Sequence, residues 1–214
     1  MTRSIHVGCA ALPPRLSRAA YFAALDYLEC SLWAGKPVKA ATWKRWLDES
    51  PEGSLGLVAP KSPSPQFSDA IGDAVGAFVI ATPPSFSPSA HNRDRLRALV
   101  DAIAPTDRVP DAPRIWQPSG LWDLPTAVKT AATAGVVLSW DPFSDPTTPP
   151  EAYESVDAEA MYWRPAGLGR KGPLSPDHLD RLALLAESIE QVWIVFATPE
   201  AWRDAKRLRE LVQK

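Results

Sequence analysis

The chain has 214 residues, 45% of them hydrophobic, and sets 23 basic against 25 acidic side chains for a formal charge of −2. This composition excludes global disorder and offers no sequence-wide attraction to nucleic acid or to an anionic membrane. No window approaches the ~20 apolar residues of a membrane span, and the apolar run before Pro13 is too short for a secretory signal.

Short apolar runs that read as strands recur along the chain, most of them trailed by a helix-like stretch. The first, Ser4–Cys9, precedes Ser17, whose hydroxyl is placed to cap a helix opening with Arg-Ala-Ala-Tyr-Phe. The second, Tyr27–Leu32, leads to Thr42 and an i, i+3, i+4 stripe of Trp43, Trp46 and Leu47. After the third, Leu55–Ala59, the segment Phe67–Val75 carries Gly72 and has little amphipathic length. The fourth, Ala77–Ala81, feeds a helix from His91 to Ile103 with Leu96, Leu99, Val100 and Ile103 on one face. Arg114–Gln117 is followed by a helix over Pro125–Ala134, which Gly135 should stop as a C′ residue. Val136–Trp140 runs into the Pro-rich stretch DPFSDPTTPPEAYESVDAEA, which has room for at most one helical turn. Ala160–Trp163 and Gln191–Ala197 complete the set. Their helices open at Ser175-Pro176 and Thr198-Pro199, each a hydroxyl N-cap before a proline at N1. Their apolar stripes are Leu179, Leu182, Leu185 and Ile189, then Trp202, Ala205, Leu208 and Leu211-Val212.

Strands that alternate with helices imply parallel pairing, because a parallel neighbour is reached only by a long crossover. Eight such units make a small TIM-like (β/α)8 barrel over residues 1–214 as a single domain, with some helices short or missing. Functional groups are then expected on the loops after the strands. The 23 prolines cluster there, where they end strands and stiffen the loops beyond them. Cys9 and Cys30 fall at the ends of the first two strands and read as reduced, packed thiols of a cytoplasmic protein.

Several segments resemble the domain of unknown function 72 (YecE-like) family. IHVGCAAL is similar to that family's Gly-Thr-Ser-Gly-Trp opening, and Glu29 through Trp46 to its second strand and helix, which end in Arg-Trp. SPEGSLGLVAPKS and FVIATPPSF resemble two further family strands, the second reading Leu-Phe-Gln-Leu-Pro-Pro-Ser-Phe there. Val136–Asp141 resembles a strand ending in Asp, and Tyr162-Trp163-Arg164 a Tyr-x-Arg-Leu-His-Gly strand. The matches span nearly the whole chain in order, and the resemblance implies a TIM-like barrel. Departures fall on polar positions. Ser31 and Trp33-Ala34-Gly35 replace Asn and Thr-Phe-Tyr, Val58 a lysine and Ala81 a glutamine. Trp116 to Ser119 stand for Glu-x-Arg-His, and Ala166 for the histidine. The polar positions retained are Glu29, Asp141 and Arg164, with Tyr162 beside them.

Alternate residues of a strand share a face, so Tyr162 and Arg164 point one way and Trp163 the other, while Glu29 shares a face with Ser31 and Trp33. Two carboxylates and a guanidinium in a narrow barrel are costly to desolvate and should pair or serve a ligand. Glu29 and Asp141 are the catalytic acid/base candidates. The alternative is a buried Glu29–Arg164 or Asp141–Arg164 bridge that only sets strand register. A second candidate is Gly167-Leu168-Gly169-Arg170-Lys171-Gly172, which spells GxGxxG but is separated from its helix by Pro173 and so departs from a dinucleotide turn. As a glycine loop after the seventh strand, it could join Gly167, Gly169, Arg170 and Lys171 to Arg164 and Tyr162 around an anion. The plainer alternative is a solvated turn with two surface cations.

His6, His91 and His178 lack metal-ligand spacing, so no metal and no cofactor are expected. Trp33, Trp116 and Trp122 either stack a ligand ring or pack the core. Arg203, Lys206, Arg207 and Arg209 read as the solvated face of the last helix. Three functions fit these residues: an enzyme or former enzyme acting on a phosphate- or carboxylate-bearing ligand, an inert barrel that binds a protein partner or small ligand, and a nucleic-acid-binding protein. The acidic balance opposes the third.

Overall fold

The computed structural model describes residues 3–31, 38–60, 72–104, 112–144, 152–153, 156, 158–167 and 172–213. Eight parallel strands follow chain order around a closed barrel. They are β1 (Ser4–Cys9), β2 (Tyr27–Cys30), β3 (Leu55–Val58), β4 (Val75–Ala81), β5 (Arg114–Gln117), β6 (Val137–Trp140), β7 (Ala160–Trp163) and β8 (Gln191–Phe196). The described helices are α1 (Arg18–Phe22), α2 (Ala40–Glu49), α3 (Ala90–Ile103), α4 (Leu124–Ala134), α5 (Pro176–Glu187) and α6 (Ala201–Val212). The expected small TIM-like barrel is thus present. Among the described residues no helix is long and apolar enough to cross a membrane.

The chain divides into two compact units. The first comprises Met1–Glu29 and Ser139–Lys214. In it β8 pairs with both β7 and β1, and β1 with β2. Gly8 lets β1 approach β2 closely, since a Cβ there would overlap the Tyr27 carbonyl. The expected stripe of Leu179, Leu182 and Leu185 on α5 is buried, as are Ala205 and Leu208 on α6. Each large apolar side chain sealed in this way contributes about 1.5–3 kcal/mol. Ser17 and Ser175 cap α1 and α5 as their sequence positions indicate.

The second unit, Cys30–Leu138, carries the β3, β4 and β5 ladder with α2, α3 and α4. Leu96, Val100 and Ile103 of α3 are buried, and α4 ends at Gly135 with φ 65°. Trp116 and Trp122 meet edge to face at 4.8 Å. Their indole N–H groups donate to the Thr82 hydroxyl and the Phe86 carbonyl. Both rings pack the core; neither is a stacking platform. Trp33 lies outside the described residues.

Several boundaries differ from the sequence reading. The second strand ends at Cys30, so Ser31 is exposed and outside it, and the fourth begins two residues early at Val75. Most of the Phe67–Val75 segment lies outside the described residues. Helix α2 opens at Ala40 after its N-cap Lys39, so Thr42 lies inside its first turn. Thr198 does not cap the last helix: Glu200 is its N-cap, because the Thr198 hydroxyl donates instead to Asp204 Oδ2 at 2.7 Å. Asp204 is fully buried and also accepts from the Leu174 N–H. Arg209 is not merely solvated, since it pairs with Asp26 at 2.9 Å.

Candidate functional site

Glu29 stands one residue before the end of β2. Asp141 and Arg164 each come directly after the last residue of β6 and β7, so all three occupy the carboxyl ends of strands in the first unit. Backbone bonds fix the latter two beyond their strands: the Arg164 N–H donates to the Trp140 carbonyl at 2.8 Å, and the Ala197 N–H to the Pro165 carbonyl. Position and direction are therefore set by the barrel.

The face parity read from the sequence brings the charges together. Arg164 donates from Nε to Glu29 Oε2 at 3.0 Å and from Nη2 to Oε1 at 2.9 Å, a two-point ion pair. The Tyr162 hydroxyl adds a third donor to Oε2 at 2.9 Å. Glu29 is 4% exposed, whereas the Arg164 side chain is 23% exposed. Its carboxylate is thus committed to holding one arginine and one tyrosine, while the Arg164 side chain keeps partial contact with water. Burial alone would lower the Arg164 pKa, but the hydrogen bond and charge of Glu29 outweigh it and leave it above its ordinary value. Burial, then the Glu29 charge, pushes the Tyr162 phenol well above its usual range. Tyr162 is accordingly a fixed neutral donor.

Asp141 completes the cluster from its own strand end. Its Oδ1 accepts the Phe143 N–H at 2.9 Å and its Oδ2 the Ala166 N–H at 3.0 Å, which ties two loops to one carboxylate. Burial raises its pKa; those N–H groups and the Arg164 charge pull the other way without cancelling the rise. Gly167 comes next at φ 82°, a left-handed conformation that suits glycine. A Cβ there would lie 3.4 Å from Thr198 Cγ2, so the turn after β7 packs against the loop after β8. Gly169, Arg170 and Lys171 lie outside the described residues.

Beneath the ion pair is an aromatic layer that the sequence reading did not identify. Tyr162 meets Tyr27 edge to face at 6.1 Å and Trp193 in a stack at 6.4 Å, and His6 stacks on Trp193 at 5.4 Å. The register places His6 and Tyr162 on either side of Trp193. Desolvation in this layer lowers the His6 pKa. Alternation within β2 places Tyr27 on the Glu29 face, but the meeting with His6 and Trp193 rests on register between strands.

Two solved structures share the architecture. A DUF72 family protein from Thermotoga maritima matches with a TM-score of 0.70 and 13% identity over 100% of both chains. A DUF72 family protein from Enterococcus faecalis matches with a TM-score of 0.67 and 12% identity, over 99% of this chain and 96% of that one. At such identities the likeness is one of fold, and at that level it agrees with the resemblance read from the sequence. No protein-family model and no curated protein matches the chain.

Proposed function

We propose that residues 1–214 form a divergent DUF72 (YecE-like) barrel domain that binds a small phosphate- or carboxylate-bearing ligand through Arg164. One observation carries this reading: Glu29 grips the guanidinium at two points, at the carboxyl end of β7, while the Arg164 side chain stays 23% exposed. A guanidinium already oriented loses little entropy when it engages a second anion. Glu29 and Tyr162 are then positioning residues.

Charge limits the affinity of Arg164 alone, because Glu29 neutralises it and Asp141 stands nearby. Arg170 and Lys171, three and four positions after Gly167, supply the missing positive charge in this reading, with Gly169 beside them in the sequence. A second reading rests on Asp141. Its burial-raised pKa suits a carboxyl that exchanges a proton, so Asp141 would be the acid or base if the site performs chemistry. A protein partner at the same strand ends is the remaining alternative, and a cytoplasmic location is supported by the buried thiols of Cys9 and Cys30. The acidic balance of the chain weighs against nucleic acid.

Thermal unfolding in inorganic phosphate, pyrophosphate and citrate tests the proposal. A ligand at a hundredfold its Kd stabilises by about 2.7 kcal/mol. The shift should vanish in an Arg170→Ala/Lys171→Ala double variant and fall in Arg164→Lys, which keeps the charge and loses the two-point grip. A flat response of the native chain to all three anions contradicts the reading.

A further inference from the structure

At the carboxyl ends of β1 and β8 a separate cleft of about 360 Å³ opens between two loops of the first unit. That volume lies at the small end of the roughly 300–1,000 Å³ typical of ligand pockets. Leu12, Pro13 and Pro14 form one wall, and Pro199 and Trp202 the other. The walls are rigid for identifiable reasons. The Ala10 N–H donates to the Phe196 carbonyl at 2.9 Å, and Thr198 is anchored on buried Asp204. Trp202 is held against Tyr21 at 5.5 Å. Directly after the two prolines, Arg15 adopts φ 67°, a left-handed conformation that non-glycine residues avoid without compensation.

The rim carries one charge of each sign. Glu200 and Arg203 both line the cleft and stand three residues apart at the start of α6, which places them on one face with Cβ atoms about 5–6 Å apart. A glutamate and an arginine at this spacing are within reach of each other. Here they do not pair, and neither has another charged partner among the described residues. Although Glu200 is the N-cap residue, its side chain makes no capping bond. An apolar slot bordered by an unpaired carboxylate and an unpaired guanidinium is complementary to a molecule with an apolar body and two adjacent opposite charges.

We propose that this cleft binds a free hydrophobic α-amino acid, with its ammonium on Glu200, its carboxylate on Arg203 and its side chain between the Pro13–Pro14 wall and Trp202. This goes beyond the anion reading at Arg164: it uses other loops and requires both charges.

Calorimetric titration of the full chain with L-leucine and L-phenylalanine tests it, with phenylacetate and phenethylamine as probes that lack the ammonium and the carboxylate. The expected result is saturable one-site binding of an amino acid, at least about tenfold tighter than either truncated probe. Glu200→Gln should erase the preference over phenylacetate, and Arg203→Gln the preference over phenethylamine. Both residues are exposed, so the variants should unfold at the native midpoint. Arg164→Lys should leave amino-acid binding unchanged, which separates this site from the anion site. Lack of saturable binding up to about 10 mM, or unchanged affinity in both rim variants, overturns the proposal.

Discussion

Replacing Arg164 with leucine removes two of the three donors that face Glu29 and strands a carboxylate that is 4% exposed. Breaking a buried pair from one side costs about 3–5 kcal/mol. Glu29→Leu should cost somewhat less, about 2–4 kcal/mol, because the 23% exposed arginine keeps some contact with water. The double variant Glu29→Leu/Arg164→Leu leaves no unpaired charge and strands only the Tyr162 hydroxyl, at about 1–3 kcal/mol. The two singles together therefore exceed the double by at least about 2 kcal/mol, the signature of residues acting as a unit. Urea unfolding at pH 7 measures all four corners of the cycle, and at about 2–4 °C per kcal/mol the Arg164→Leu loss should also lower the Tm by roughly 6–20 °C. Costs that add to within about 0.5 kcal/mol would refute the reasoning, since the ion pair would then contribute no coupling.

Asp141→Asn replaces the titrating carboxyl by an amide, which, like the protonated acid present near pH 3.5, has a single carbonyl acceptor, so the two chains should be closest to equal stability at acidic pH. Burial raises the Asp141 pKa above 3.8, so the native chain gives up stability as pH climbs through that window while the amide does not; the variant should therefore gain on the native chain between acidic and neutral pH, as read from paired urea midpoints, and a variant that instead loses ground would contradict the raised pKa. Thr198→Val removes the 2.7 Å bond to Asp204 and should destabilise by about 1.5–3 kcal/mol in the same assay. Gly8→Ala forces β1 away from the Tyr27 carbonyl and should cost more than about 4 kcal/mol or prevent folding, as judged by soluble yield and circular dichroism.

The barrel was legible because its strands are short apolar runs bounded by prolines and glycines, and because Ser17, Ser175 and Gly135 carry local stop and start chemistry. Thr198-Pro199 misled for a physical reason. The same hydroxyl that could cap a helix found a stronger acceptor in Asp204, six residues on, and the helix opened later. Asp204 itself gave no sign, since an aspartate among Arg203, Lys206 and Arg207 reads as surface. At the site, strand parity was enough to group Tyr162 with Arg164. Partner choice was not: Glu29 and Asp141 were equal candidates for Arg164, and only the geometry assigns the two-point pair to Glu29 and the loop-tying role to Asp141. The layer of His6, Tyr27 and Trp193 depends on register between strands, which no single strand encodes.

The most direct measurement of the central claim is the Nε–Hε NMR signal of Arg164 during titration with phosphate and pyrophosphate, assigned by its loss in Arg164→Lys. A resolved, slowly exchanging signal is expected in the free protein, because Nε is bonded to Glu29, with a saturable shift as the anion binds the guanidinium. A signal already resolved that does not move with either anion would show an ion pair closed to ligands, and the anion site would have to be abandoned.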